Sequence, residues 1–306
     1  MRWFVLCALC LAVPAVAVES RFYFSGDGML ELHHAYFNEV LAVRYRDAAG
    51  HYDPDALRRI EHFFRSRSDG KQGTVSLRLI ELLDYVQDRY HPKRLTLISG
   101  YRSPEFNQSL RDDGRRVAQA SMHTEGLAAD VQPAGLNLRK LWTALRAEQF
   151  GGAGLYQGDG FVHLDTGRPR FWEAATSGVD QNLAKENAKL FARTEYDRYA
   201  SLAGATIRLH SVTALPIRIQ RTAHLGGAAL EVAPRDASVR ADGDCWLFDT
   251  PAPTYELTIA TPLPPTAARQ PIRLATCAPR LGATPDEVLT NPISLWSSNP
   301  QADQHR

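Results

Sequence analysis

Two short stretches, Ser121-Met-His-Thr-Glu-Gly-Leu-Ala-Ala-Asp130 and Gly160-Phe-Val-His-Leu-Asp165, restrict what this chain can fold into more than any other part of it. Gly126 to Val131 reads as a short buried strand of small and apolar residues, entered through a glycine turn that carries His123. In the second stretch Phe161, His163 and Asp165 alternate with Val162 and Leu164, so one face of a strand presents all three. His123, Asp130 and His163 are neutral and anionic donors of the kinds that hold zinc, and three protein ligands leave a fourth position for water. A fold that brings the two strands together builds a zinc hydrolase site. A fold that keeps them apart leaves two ordinary histidines.

A third stretch adds a cation. Leu95-Thr-Leu-Ile98 is an apolar strand, and the turn Ser99-Gly-Tyr-Arg102-Ser-Pro that follows projects a guanidinium from its end. Fixed cations of this kind stabilise negative charge that develops during a reaction. Taken in order, this turn, the Ser121-x-His123-x-x-Gly126-x-Ala128-x-Asp130 pattern, Gly151-Gly-Ala-Gly-Leu-Tyr156, Phe161-Val-His163-x-Asp165-x-Gly167 and Arg170-x-Trp172 resemble the YcbK-like branch of the D-alanyl-D-alanine zinc metallopeptidases. VanX dipeptidases, lysostaphin-type endopeptidases and hedgehog domains belong to the same wider group.

The resemblance implies that His123, Asp130 and His163 bind Zn2+, that Arg102 contacts the scissile carbonyl oxygen, and that Ser121, with Tyr101, holds the substrate. One position departs from the pattern. Relatives with a carboxylate three residues before the last zinc histidine use it as general base, and here that position is Gly160; lysostaphin-type relatives place a histidine two before it, where this chain has Phe161. Two carboxylates stand nearby. Asp165, expected to be the base because strand geometry sets its direction, has a second reading as a carboxylate that orients a ligand histidine or Arg102. Asp159, in the Gly158-Asp-Gly160 turn, is the other candidate.

The chain begins with Met1-Arg-Trp-Phe-Val-Leu-Cys-Ala-Leu-Cys-Leu-Ala-Val-Pro-Ala-Val-Ala17, one basic residue followed by a short apolar run and an Ala-x-Ala end, the layout of a cleaved secretory signal. Residues 1–17 are therefore expected to leave, and the mature chain to be periplasmic and without a transmembrane segment, with retention of the segment as an uncleaved anchor the alternative. Cys245 and Cys277 then remain, and an oxidising compartment favours their pairing. A formal net charge of +1 over 306 residues carries no footprint of nucleic acid or membrane binding.

The remaining pattern is scaffold. Apolar runs around Gly26-Asp-Gly28 predict a hairpin from Arg21 to Leu32, and Ala35 to Tyr45 a third strand. His33 and His34 are adjacent on a strand and face opposite ways, so they do not read as a metal pair. Helices are expected from Asp53-Pro54, from Ser76 to Tyr90, and from Leu138 to Phe150 with Asn137 as cap. Arg111 to Arg116 reads as a charged loop, either rimming a substrate groove or simply solvated. Gly151 to Tyr156 lacks phosphate-loop spacing and predicts close backbone packing beside the His163 strand. Residues 18–177 thus make an α+β zinc peptidase domain of the hedgehog and D-Ala-D-Ala-peptidase kind, with helices on one side of a mainly antiparallel sheet. A charged helix over Asp180 to Tyr199 is expected within a linker at 178–203. From residue 204 to 306, short Val, Ile, Leu and Thr runs spaced by Pro, Gly and Asp turns predict a small β-sandwich or barrel as an accessory domain.

The function that follows is an exported zinc peptidase acting on peptidoglycan peptide stems or cross-links through a zinc-activated water. Endopeptidase and carboxypeptidase action, and D,D and L,D specificity, stay open at this level. The vacant base position motivates an alternative, a zinc-containing but catalytically silent wall-binding or partner-binding protein. A zinc amidase or other non-peptide hydrolase would keep the site and change the substrate.

Overall fold

A computed structural model of the protein describes residues 20–114, 121–167, 169–176, 190–211, 216–250, 254–263, 266–277 and 287–295. The signal at 1–17, Arg115, Arg116 and residues 180–189 of the expected helix lie outside them. The N-terminal half is built on a seven-stranded sheet of β1 (Met29–His34), β2 (Val40–Arg44), β3 (Arg94–Ser99), β4 (Ala128–Ala134), β5 (Gly152–Tyr156), β6 (Phe161–Asp165) and β7 (Arg170–Glu173). Its strand order is β2-β1-β3-β4-β6-β5-β7. The β1/β3 and β5/β7 pairs are parallel and the others antiparallel.

Four helices accompany the sheet: α1 (Pro54–Phe63), α2 (Leu77–Tyr90), α3 (Pro104–Asp112) and α4 (Leu138–Glu148). The Asp53 side chain accepts from the amide of Asp55 ahead of Pro54, and the Asn137 side chain caps α4 through the amide of Lys140. Helices α1, α2 and α4 pack with β1, β2, β5 and β6. Leu97, Ala129, Val131, Ala153, Leu155, Val162 and Leu164 join Ile60, Leu79, Leu83 and Leu145 in one buried core. Truncating Leu164 to Ala in such a core would cost about 2–5 kcal/mol. Period-2 alternation sends Asp130, His163 and Asp165 to the opposite side of the sheet from those core residues.

Local differences from the expectations have physical causes. The hairpin pairs β1 with β2 across the turn at 35–39, and the segment before Gly26 forms no strand. That segment instead gives its backbone to the other half of the chain, the Arg21 carbonyl accepting from the amides of Asp197 and Arg198. Helix α3 was not expected. Ser103 caps it through the amide of Phe106 and Pro104 opens it, so Arg111 and Asp112 end a helix rather than starting a loop.

The C-terminal half is β-rich. It comprises β8 (Leu190–Thr194), β9 (Arg198–Tyr199), β10 (Thr206–Ser211), β11 (Ile217–Leu225), β12 (Ala228–Pro234), β13 (Arg240–Asp242), β14 (Cys245–Phe248), β15 (Tyr255–Ile259), β16 (Thr266–Thr276) and β17 (Glu287–Leu295). These strands form one array ordered β8-β10-β15-β12-β11-β16-β17-β9, with β14 on β11 and β13 on β14. Their inward residues, among them Ile207, Leu209, Ile219, Leu230, Leu257, Leu274 and Ile293, form a second buried core. Cys245 and Cys277 are joined in a disulfide.

The expected helix is corrected where it is described. Leu190 to Thr194 pairs antiparallel with β10, and Arg198 and Tyr199 pair with β17. Leu190 and Thr194 are buried at the strand's two ends, and that sheet pairing outweighs the charged, helix-like composition that precedes it. The halves are tied by Arg78, whose buried guanidinium donates to Asp197 Oδ1 at 2.8 Å and to the Thr194 carbonyl at 3.0 Å. Among the described residues no helix is long and apolar enough to cross a membrane.

Candidate metal centre

The site is a row of residues laid across five strands. Ser99 of β3 stands opposite Asp130 of β4, Asp130 opposite His163 of β6, His163 opposite Gly154 of β5, and Gly154 opposite Trp172 of β7. The register shifts between Leu97 and Ser99, and irregularities of that kind re-aim side chains beside functional sites. His123 reaches the row from the turn ahead of β4, which Gly126 shapes at φ 64°. A Cβ at Gly126 would lie 1.7 Å from the Thr74 carbonyl oxygen, so glycine is required there on two counts.

His123, Asp130 and His163 each offer one ligand atom, and these atoms all lie within 4.8 Å of one another. His123 Nε2 is 3.2 Å from His163 Nδ1 and 3.3 Å from Asp130 Oδ1, which is 2.9 Å from His163 Nδ1. The surrounding partners set the tautomers. His123 Nδ1–H donates to the Gly100 carbonyl at 2.7 Å, leaving the Nε2 lone pair facing the cluster. His163 Nε2–H donates to Asp165 Oδ2 at 2.9 Å, leaving the Nδ1 lone pair facing it too. Two lone pairs and a carboxylate oxygen converging in a buried place repel one another unless a proton or a cation lies between them, so the donor set fits a divalent metal.

The titration directions agree. Burial, then the Arg102 charge, lowers His123 to about 4, so it is neutral and ready to ligate at pH 7. Burial works against the charge on Asp130, but His123, His163 and Arg102 outweigh it and hold the carboxyl well below the usual range. Burial also opposes charge on His163, yet hydrogen bonds to Asp130 and Asp165 raise it above the ordinary imidazole value. In the metal-free protein His163 can therefore carry the proton whose place a cation would take.

The next row explains the glycine-rich strand. Ala128, Asp165, Gly152 and Arg170 stand side by side on β4, β6, β5 and β7. Gly152 has no side chain, so Arg170 reaches across it to Asp165 with Nη1 at 3.0 Å and Nη2 at 2.7 Å. A Cβ at Gly152 would sit 2.1 Å from Asp165 Oδ2. Gly154 does the same for Trp172, whose ring lies 5.2 Å from that of His163 and 2.5 Å from where a Cβ would be. The two glycines allow the close backbone packing expected of them, whereas Arg170 and Trp172 stand in the sequence pattern without assigned work, because what each reaches depends on non-local register.

Three comparisons with known proteins bear on this site. A family model described as peptidoglycan L,D-endopeptidase MepK matches residues 25–172. Peptidoglycan L,D-endopeptidase MepK of Escherichia coli K12 is 34% identical over 166 residues, which cover 54% of this chain and 89% of that protein. This chain belongs to the MepK family of peptidases. A probable MepK of Haemophilus influenzae is 28% identical over 137 residues, covering 44% of this chain and 73% of its own. No solved structure matches the chain. The MepK model begins just before Gly26 and ends at Trp172, so it takes in the whole five-strand row.

Within this MepK-like half, the other expected site residues fall as follows. Arg102 donates through Nη2 to Asp130 Oδ2 at 2.7 Å and through Nε to Ser99 Oγ at 3.0 Å, so it stands at the cluster. Ser121 is buried, its hydroxyl accepting from the His123 amide at 3.3 Å and its carbonyl from Thr124, so it shapes the turn that carries His123. Tyr101 packs its ring on Gly73, and its phenol is raised by burial and by Glu105, Asp69 and Glu125, a surrounding that does not include the cluster. No hydrogen bond joins Tyr101 to the metal ligands among the described residues.

Asp165, the expected base, has both carboxylate oxygens engaged by the chain's own groups. It is fully buried, Oδ2 accepting from His163 and Arg170 and Oδ1 from Arg170 and the Gly167 amide. Burial would raise it, but Arg170 and His163 hold it at about 2, and no oxygen is left to take a proton from water. The contact with His163 fits the second reading the sequence allowed, a carboxylate that orients a ligand histidine. Asp159 is exposed in the turn joining β5 to β6, outside the cluster. Tyr156 is a residue the sequence did not single out for a role. Its ring stacks on Phe161 at 4.5 Å, its hydroxyl accepts from Trp172 Nε1 at 3.3 Å, and burial raises its phenol, with Asp130 adding to the rise and Arg102 opposing it.

Proposed function

We propose that this chain is an exported, zinc-dependent peptidoglycan L,D-endopeptidase whose metal is held by His123 Nε2, an Asp130 oxygen and His163 Nδ1. The observation that carries this reading is the convergence of those donors with both outward ring nitrogens already committed, to Gly100 and Asp165. Membership of the MepK family supports the bond type, since the curated relatives bear that activity in their names. A hedgehog-like and D-Ala-D-Ala-peptidase-like fold for residues 18–177, with 204–306 as an accessory β-domain after a short linker, belongs to the same proposal.

Zinc bound in a three-ligand site polarises a scissile carbonyl and lowers the pKa of water towards neutrality. The chain's own groups do the rest. Asp165 and Gly100 fix the two imidazoles in the ligating tautomer. Arg102 shares its guanidinium between Asp130 and the substrate: Nη2 and Nε are committed, and Nη1 has no hydrogen bond among the described residues, so it is free to donate to the carbonyl oxygen as negative charge grows. Asp159, whose charge reaches Tyr156 beside the cluster from the exposed β5–β6 turn, is the remaining carboxylate for the proton-accepting role once substrate is bound, and Tyr156 packs there with Phe161 and Trp172.

The experiment is a comparison of His123→Ala, Asp159→Asn and the parent on defined muropeptides. His123→Ala should lose zinc and turnover together, and stoichiometric zinc in that variant would reject the ligand set. Asp159→Asn should keep zinc and lose about 10²–10⁴ in kcat. Unchanged turnover there would remove Asp159 from the mechanism.

A further inference from the structure

A second cluster of acids lies on the helix-bearing side of the molecule, away from the metal centre. Asp84 and Asp88 are one helical turn apart on α2, and Asp27 comes from the Gly26-Asp27-Gly28 turn that leads into β1. An oxygen from each lies within 4.8 Å of the other two. Acidic clusters alone mean little, and what distinguishes this one is Asp84. It is fully buried, and its Oδ2 accepts from Tyr45 Oη at 2.6 Å and from the Gly28 amide at 2.8 Å. Its Oδ1 is also buried and has no hydrogen-bond donor among the described residues.

That orphaned oxygen faces the cluster. A Cβ on Gly26 would sit 2.2 Å from Asp84 Oδ1 and 2.7 Å from Asp88 Oδ2, so both atoms border the same small space. Asp88 Oδ2 accepts from the Asp27 amide at 2.7 Å, and Asp27 Oδ1 accepts from the Met29 amide at 2.7 Å. The nearest cations are engaged elsewhere. Arg46 pairs with Glu81 and donates to the Gly26 carbonyl, and Arg44 donates to the Asp27 carbonyl rather than to its carboxylate. Among the described residues no Lys, Arg or His forms an ion pair with any of the three acids.

We propose that Asp27, Asp84 and Asp88 bind a hard divalent cation, calcium by its chemistry, that pins the 26–28 turn to helix α2. All three donors are oxygens with no imidazole or thiolate among them, a set that suits calcium and not zinc. Their closeness would otherwise be costly: burial and the charges of Asp88 and Asp27 push Asp84 up to about 7, despite the bonds from Tyr45 and Gly28 that pull it down. The consequence extends beyond the turn. The segment just upstream carries Tyr23, whose amide donates to Asp197 of the β-rich half at 3.2 Å, so a cation here also steadies the strip of chain that joins the two halves. This site is independent of the peptidase reading, and its failure would leave that reading untouched.

The test uses full-length protein stripped of metal and reloaded with one equivalent of zinc. Calcium chloride, and magnesium chloride in parallel, are titrated to millimolar concentration while thermal unfolding is followed, with equilibrium dialysis against radioactive calcium. At a hundredfold excess over Kd, the midpoint should rise by about 5–10 °C in the parent. Asp88→Asn and Asp27→Asn should abolish the rise and the bound calcium while leaving muropeptide cleavage unchanged. No shift and no bound calcium in the parent would overturn the proposal, as would a full response in both variants. If Asp84→Asn proves as stable as the calcium-free parent and the parent ignores calcium, Asp84 is a neutral acid and the site does not exist.

Discussion

The Asp165→Asn variant separates orientation from proton transfer. Asparagine keeps one carbonyl oxygen and puts an NH2 group where the second oxygen accepted. Asp165 receives four hydrogen bonds, from His163 Nε2, from Arg170 Nη1 and Nη2, and from the Gly167 amide, so part of that set must break. Breaking a fully buried ion pair from one side costs about 3–5 kcal/mol. The Arg170 side chain is 34% exposed, so water recovers part of the loss and we expect about 2–3 kcal/mol of stability to go. The larger diagnostic is metal affinity. Removing a carboxylate that orients a ligand histidine weakens binding by about 10–100-fold, or about 1.4–2.7 kcal/mol. Competition with a chromophoric chelator measures that, and turnover on a defined muropeptide is then read at saturating zinc. Orientation predicts a kcat within about tenfold of the parent once the metal is restored. Parental zinc affinity with kcat reduced by about 10²–10⁴ would show that Asp165 is the base after all and refute the reasoning.

Other consequences can be checked alongside. Gly152→Ala places a methyl 2.1 Å from Asp165 Oδ2 and should cost about 1–3 kcal/mol in thermal unfolding while weakening zinc, and an unperturbed variant would show that Arg170 does not need to reach across that position. Arg102→Lys should keep one zinc per chain and lose about 10²–10³ in kcat; equal losses of metal and rate would place Arg102 in ligand support alone. His34 is buried with Nδ1 accepting from the Tyr36 and Phe37 amides, and burial followed by Arg65 lowers it to about 4. The unfolded chain therefore takes up the proton first, and stability present above pH 6.5 should fall by about 2–3 kcal/mol as pH drops towards 4, an acid-dependent loss that His34→Gln should lack. Replacing Cys245 and Cys277 by Ser opens a 32-residue span and should cost the β-rich half about 3–4 kcal/mol in denaturant titration, whereas unchanged stability would mean the disulfide contributes nothing.

What the sequence made legible was local. Alternation in Phe161 to Asp165 assigned the face that His163 and Asp165 share, and caps at Asp53 and Asn137 located α1 and α4 correctly. The zinc-ligand types could be named because their chemistry is carried by residue identity. Register could not be read, since the row Ser99, Asp130, His163, Gly154 and Trp172 joins residues far apart in the chain. For that reason Gly152 and Gly154 looked like general packing, and Asp165 could be judged by direction but not by who already occupied its oxygens. Helix α3 lies outside the sequence expectation although Ser103-Pro104 is a sound start signal, because the same residues also close the Ser99–Pro104 turn motif that carries Arg102. At Leu190 to Thr194 sheet pairing overrode composition, which only the partner strand β10 reveals.

The central claim is that two imidazoles and one carboxylate hold a single catalytic metal on this sheet. It is tested most directly by stripping the protein with chelator, adding zinc back in steps, and following cleavage of cross-linked and uncross-linked muropeptides by mass spectrometry. The account predicts silence without metal, full activity at one equivalent of zinc, and products cut at an L,D bond. Activity that survives complete metal removal, or one equivalent of bound zinc with no cleavage of any muropeptide, would contradict it.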